Sequence, residues 1–165
     1  MNANRLFITF FGTGLSPQAP GTVGSLAALI VGVGFLKIFP MQTLFMLTLA
    51  ITIIGIFEIN KYEKATGIHD DKSIVIDEVA GMWIAMMFAL SSAQSMHFEY
   101  AYEIALVSSF ATFRLFDIWK PSTIGVIDRK VAGGLGVMGD DLLAGVAGGL
   151  LSIVILMGLE RLLVG

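Results

Sequence analysis

From Val79 to Phe98 the chain runs without a single Asp, Glu, Lys or Arg, and it does so again from Leu142 to Leu159. Runs of this kind match what a helix needs to cross a bilayer core, about 20 residues with a range of about 17–25. Two shorter apolar runs precede them. Residues Leu6 to Leu36 carry no charge, but Gly12, Gly14, Pro17, Pro20 and Gly21 divide them into an arm (Leu6–Phe11), a Gly/Pro loop and a helix predicted to start near Thr22. After Pro40, Met41–Phe57 forms a second uncharged run, and a later apolar run, Ile104 to about Phe116, contains Arg114 near its end.

Charge is therefore confined to connectors. Only 14% of residues are charged against 56% hydrophobic, with mean hydropathy +0.84, whereas soluble domains carry about 25% charged residues. The pattern predicts an all-α polytopic membrane bundle with about four to five hydrophobic helices, forming one domain over residues 1–165. A net charge of −3 without a basic run gives no argument for nucleic acid, so no such partner is expected, and the lack of cysteine excludes disulfides and thiol nucleophiles. The N-terminal stretch has one cation and no small-residue cleavage site, and reads as part of the mature protein.

With five crossings, Arg5, the Lys61/Lys64/Lys72 connector and the Lys120/Arg129/Lys130 connector share one face. The other keeps Lys37 and Arg161. The positive-inside rule makes the first face cytoplasmic. The Gly/Pro loop, the His69–Glu78 segment and the polar stretch Phe113–Asp141 then meet at that face, so separated motifs build one polar site.

Two carboxylate pairs dominate it. Asp77-Glu78 and Asp140-Asp141 each stand where a hydrophobic helix is expected to begin. One carboxylate complements a helix dipole, worth roughly 0.3–1 kcal/mol; two pairs on one face repel unless a cation sits among them, and an oxygen donor set suits Mg²⁺. Arg114, Asp117 and Lys120 follow at i,i+3 spacing, which a surface ion-pair ladder would also explain. Beside long apolar runs, however, such charges read as functional. Gly12–Ser25 offers backbone N–H groups, hydroxyls and a helix start, with Thr22 or Ser25 as candidate caps and anion ligands. The small residues Ala144, Gly145, Gly148 and Gly149 predict close helix packing. His69 and His97 receive no role.

Taken together, the motifs GTGLSPQAPGTVGSLAAL (Gly12–Leu29), GIHD (Gly67–Asp70), IVIDEVAGMW (Ile74–Trp83), FRLFDIWKP (Phe113–Pro121) and DRKVAGGLGVMGDDLLAG (Asp128–Gly145) resemble the phosphatidylglycerophosphatase A family. Where that family commonly continues with W-P-I-R after Pro121, Ser122, Thr123, Ile124 and Gly125 stand here. The resemblance implies a multi-pass lipid phosphatase of the bacterial inner membrane, acting from the cytoplasmic side in phospholipid biosynthesis. Its implied substrate is phosphatidylglycerophosphate and its implied cofactor Mg²⁺.

The residues agree with that chemistry. There is no cysteine for a cysteinyl-phosphate, no DxD motif for an aspartyl-phosphate, and no histidine-rich signature. Metal-assisted hydrolysis remains. Asp77, Glu78, Asp140 and Asp141 are expected to hold the metal, with Asp128 or Asp117 as a further ligand or base. Arg114, Lys120 and Arg129 are expected to bind phosphate, aided by Thr22 and Ser25. A transporter would place its polar groups near the bilayer midplane on broken helices; here they sit at the ends of the runs. The DGxxAR-type signature of CDP-alcohol phosphotransferases is missing.

Overall fold

Pro40, Gly67 and Gly133 mark the points where helices start or stop. The computed structural model describes residues 2–69, 71–121, 124–126 and 131–164. Among these the chain forms α1 (Ala3–Ile8), α2 (Pro20–Leu36), α3 (Met41–Thr66), α4 (Ile76–Ala93), α5 (Ala101–Trp119) and α6 (Gly134–Leu163), with a 3₁₀ turn at Thr13–Leu15 and no strand. The all-α expectation holds, with shifted boundaries. Helix α2 begins at Pro20 rather than near Thr22, because proline tolerates the first helical position, where no intrahelical N–H bond is made. Helix α3 continues past Phe57 to Thr66: Ile51, Gly55, Ile59 and Tyr62 keep one buried stripe running into the polar segment. Gly67, at φ 71°, then ends it in the left-handed region.

The largest shift concerns α6. It starts at Gly134, so Asp140 and Asp141 lie about two turns inside the helix and are buried. The helix-start reading of that pair is overturned. Asp77 and Glu78 do occupy the first turn of α4.

Helix α4 is central. It is buried on nearly every side and packs most extensively on α6, then on α5, α2 and α3. Its contact with α6 is as close as two backbones allow: a Cβ at Gly81 would overlap the Asp141 carbonyl, and one at Gly145 the Gly81 carbonyl. One turn further along, a Cβ at Gly148 would come within 2.8 Å of the Phe113 backbone nitrogen on α5, and Thr112 Oγ1 donates to the Gly148 carbonyl at 2.8 Å. The small-residue stripe is thus the packing face of α6. On the other side of α4, Trp83 Nε1 donates to the Ala28 carbonyl of α2 at 2.8 Å.

Helices α3, α4 and α6 are long and apolar enough to cross a membrane. Helix α2 is apolar but shorter, and α5 carries Glu103, Arg114 and Asp117. By length and composition alone, three helices among the described residues qualify as spans, near the four to five hydrophobic helices expected. Large apolar side chains, among them Ile30, Phe45, Phe57, Val107 and Val154, stand exposed around the bundle, as a hydrocarbon-facing surface requires. The helices alternate in direction. The start of α2, end of α3, start of α4, end of α5 and start of α6 therefore meet at one end.

Helix α1 packs against α3 and the segment leading into α4. Asn4 Nδ2 donates to Glu58 Oε2 at 2.6 Å, and the Ile8 carbonyl accepts the Val75 N–H at 2.9 Å.

Candidate active site

The shared end holds a cavity of about 420 Å³. Its walls come from the start of α2, the loop between α3 and α4, the first turn of α4, the end of α5 and the first two turns of α6. Asp77, Glu78, Arg114, Asp117, Lys120, Asp140 and Asp141 all line it. The close crossing at Gly81 and Gly145 lies directly beneath and brings the two carboxylate pairs face to face.

Two ion-pair groups organise the charges. Arg114 Nη1 pairs with Asp117 on its own helix, stands 3.4 Å from Glu78 Oε1 and donates to Ser25 Oγ at 3.3 Å. Ser25 Oγ in turn reaches Glu78 Oε2 at 3.3 Å and the Gly21 carbonyl at 2.8 Å. Gly21 makes this contact possible, because a Cβ there would overlap Glu78 Oε1. In the second group, Lys120 Nζ lies 2.5 Å from Asp140 Oδ2. Lys120 ends α5 at φ 45°, in the left-handed region. That turn takes it out of the helical register expected above Asp117 and points it at α6.

Among the described residues, no three Asp, Glu or His side chains stand close enough to hold one ion as they are. The donor set nonetheless fits a hard cation. Asp77 Oδ1 and Asp141 Oδ2 are buried and have no hydrogen-bond partner among the described residues, which is costly for a buried polar atom. Both belong to residues lining the same cavity as Asp140.

The mouth is formed by Asp71, Lys72 and His69. Burial works to raise the Asp71 carboxyl, but the Tyr62 hydroxyl and the Ser73 N–H donate to it at 2.6 and 2.9 Å and hold it below its ordinary value. Arg5 Nη1 donates to the Tyr62 hydroxyl at 3.1 Å, tying α1 to this loop.

The chain matches the model of the family described as Phosphatidylglycerophosphatase A over residues 6–156. The chain belongs to that family. A Phosphatidylglycerophosphatase A of Escherichia coli K12 is 39% identical over 88% of this chain and 78% of its own length. One of Haemophilus influenzae is 36% identical over 88% and 84%. A Bacteroides thetaiotaomicron protein named "Putative phosphatidylinositol-3-phosphatase" is 39% identical over 84% of each chain. No solved structure matches.

For a phosphatidylglycerophosphatase A family chain, the structure brings together most of the residues singled out from sequence. Asp77, Glu78, Asp140, Asp141, Arg114, Lys120 and Asp117 share the cavity, and Ser25 supports it through Arg114 and Glu78. Thr22 does not line it. Asp128 and Arg129 lie outside the described residues. Asp71 and Lys72 received no role from sequence, although the short distance from Gly67 to the Asp77 pair was a signal that this loop would overhang the site.

Proposed function

We propose that the chain hydrolyses the terminal phosphomonoester of phosphatidylglycerophosphate, giving phosphatidylglycerol and phosphate in phospholipid biosynthesis, with Mg²⁺ as cofactor. The observation that carries this reading is the convergence of two carboxylate pairs, Arg114 and Lys120 on one cavity at the end of an apolar bundle. Family membership supplies the substrate class.

In this reading Asp77, Glu78, Asp140 and Asp141 hold the cation, with Asp117 or Asp128 as a further ligand or base. A cation so held supplies polarisation of the phosphoryl oxygens and a lowered pKa for the attacking water. Arg114 and Lys120, with Arg129, offer positive charge to the phosphoryl group as its charge spreads in the transition state. Arg114 acts from a fixed position, because Glu78, Asp117 and Ser25 hold its guanidinium. One carboxylate takes the proton of the water that attacks phosphorus. The bond from phosphorus to the glycerol oxygen breaks, and that oxygen leaves as a hydroxyl after taking up a proton.

The acyl chains stay against the apolar outer surface while the headgroup enters the polar end. The cations Arg5, Lys61, Lys64 and Lys72 belong to that end, which supports a cytoplasm-facing site in the bacterial inner membrane.

The test is phosphate release by the detergent-purified chain from phosphatidylglycerophosphate, phosphatidate and phosphatidylinositol 3-phosphate, with Mg²⁺ and with EDTA. Release that favours phosphatidylglycerophosphate and stops with EDTA is expected. Preference for the inositol lipid, or indifference to EDTA, overturns the substrate or the cofactor respectively.

A further inference from the structure

The geometry points to Lys120 as a displaceable stand-in for the divalent cation: its ammonium sits on the Asp140 oxygen that the ion takes, and swings into the cavity when the ion binds. This rests on the cation reading above and adds a loading step to it.

The charge arrangement carries the inference. Among the described residues, Arg114 is engaged by Glu78 and Asp117, so it serves the α4–α5 side of the cavity. On the α6 side stand Asp140 and Asp141, with Asp77 facing them from α4. Asp140 Oδ2 is held by Lys120 at 2.5 Å, and Asp140 Oδ1 accepts the Asp141 N–H at 3.0 Å. Asp77 Oδ1 and Asp141 Oδ2 are buried without a partner among the described residues. One ammonium, a point charge with three donors, pairs with Asp140 in a cavity that Asp77 and Asp141 also line. A divalent ion carries the charge that this group lacks and accepts more oxygen ligands.

Lys120 is built to leave. It stands immediately after the last residue of α5, in a left-handed turn, and its side chain is 30% exposed against 5% for Asp140. Its flexible stem lets the ammonium exchange a carboxylate for a phosphoryl oxygen without moving either helix. Among the described residues no three carboxylates converge, and Asp140 is paired with Lys120. Cation loading and phosphate recognition are then linked. The ion that occupies Asp140 releases the cation that meets the substrate, so an unloaded enzyme holds its phosphate ligand in reserve.

Lysine acylation of the folded full chain, read by mass spectrometry with and without Mg²⁺, tests the exchange directly. Lys61, whose side chain is 70% exposed, is the internal reference. Labelling of Lys120 relative to Lys61 should rise several-fold with Mg²⁺; an unchanged or falling ratio overturns the inference. A second measurement is Mn²⁺ binding by electron paramagnetic resonance. Lys120→Gln, which keeps a donor for Asp140, should bind about tenfold tighter because a competing short-range charge is gone. Lys72→Gln at the solvated mouth should change affinity by less than about twofold. Equal or weaker binding by Lys120→Gln, or equal tightening in both variants, overturns it. If the folded wild type binds no Mn²⁺ and its phosphate release ignores EDTA, the cation reading itself has failed. If it binds Mn²⁺ while Lys120 labelling stays flat, only the exchange has failed.

Discussion

Arg114 Nη1 stands 3.4 Å from Glu78 Oε1, joining α5 to the first turn of α4 across the floor of the cavity. The pair has little exposure on either side and is completed by Asp117 and Ser25. Removing one member of a buried ion pair costs about 3–5 kcal/mol, because the partner is left charged and unpaired. Arg114→Gln should therefore lower the melting temperature in detergent and abolish phosphate release together. Arg114→Lys should recover part of the stability, since an ammonium keeps the charge but not the planar guanidinium whose Nη1 meets two carboxylates and a hydroxyl.

Asp141 and Asp77 predict the opposite split. Among the described residues each has a buried carboxyl oxygen without a partner, which weighs against stability. Asp141→Asn should reduce Mg²⁺-dependent turnover by at least about a hundredfold, the upper end of what even outer-shell changes around a metal cost. Its melting temperature should be equal to or above that of the wild type. Full turnover in Asp141→Asn would remove this residue from the cation site.

Gly81 faces the Asp141 carbonyl so closely that no side chain fits. Gly81→Ala should force α4 and α6 apart, at roughly 1–3 kcal/mol for overpacking. Because the same crossing sets Asp77 against Asp141, Mn²⁺ affinity should fall alongside the melting temperature. Gly34 has open space at its Cβ position and serves as the control: Gly34→Ala should leave both unchanged.

Mg²⁺ itself should stabilise the chain. A ligand that binds only the folded state adds about 2.7 kcal/mol at a hundred times its dissociation constant. The melting temperature should rise with Mg²⁺ and return with EDTA, and this dependence should vanish in the Asp140→Asn/Asp141→Asn double variant.

Asp71 gives a pH dependence of known sign. Its carboxyl is held below the ordinary value in the folded chain, so its contribution to stability is complete above the unfolded value and is lost as pH falls through the lower, folded one. Tyr62→Phe removes the hydroxyl that donates to it. The variant should be less stable than the wild type at neutral pH by about 0.5–1.5 kcal/mol, or more because the bond is to a charged group. The gap should close in acid, as followed by thermal melting across the acidic range.

The sequence by itself determined the all-helical class and the end of the bundle at which chemistry collects. Uncharged runs of span-like length leave few alternatives to helices, and the alternation of successive helices carries the Gly21, Asp77, Arg114 and Asp140 segments to the same end. The motifs also carried the family, because their residues and order are local information. What the tertiary structure decided is which charge meets which. Asp140 and Asp141 read as a helix start because a hydrophobic run follows them, yet α6 reaches back to Gly134 and buries them two turns inside. Lys120 reads as the third rung of a ladder on Asp117, yet the left-handed turn that ends α5 sends it to Asp140. Ser25 reads as a cap, yet it braces Arg114 and Glu78. These pairings depend on how closely α4 approaches α6 and α2, a distance set by missing side chains at Gly81, Gly145 and Gly21. No spacing along the chain encodes that distance; it exists only once the helices are packed.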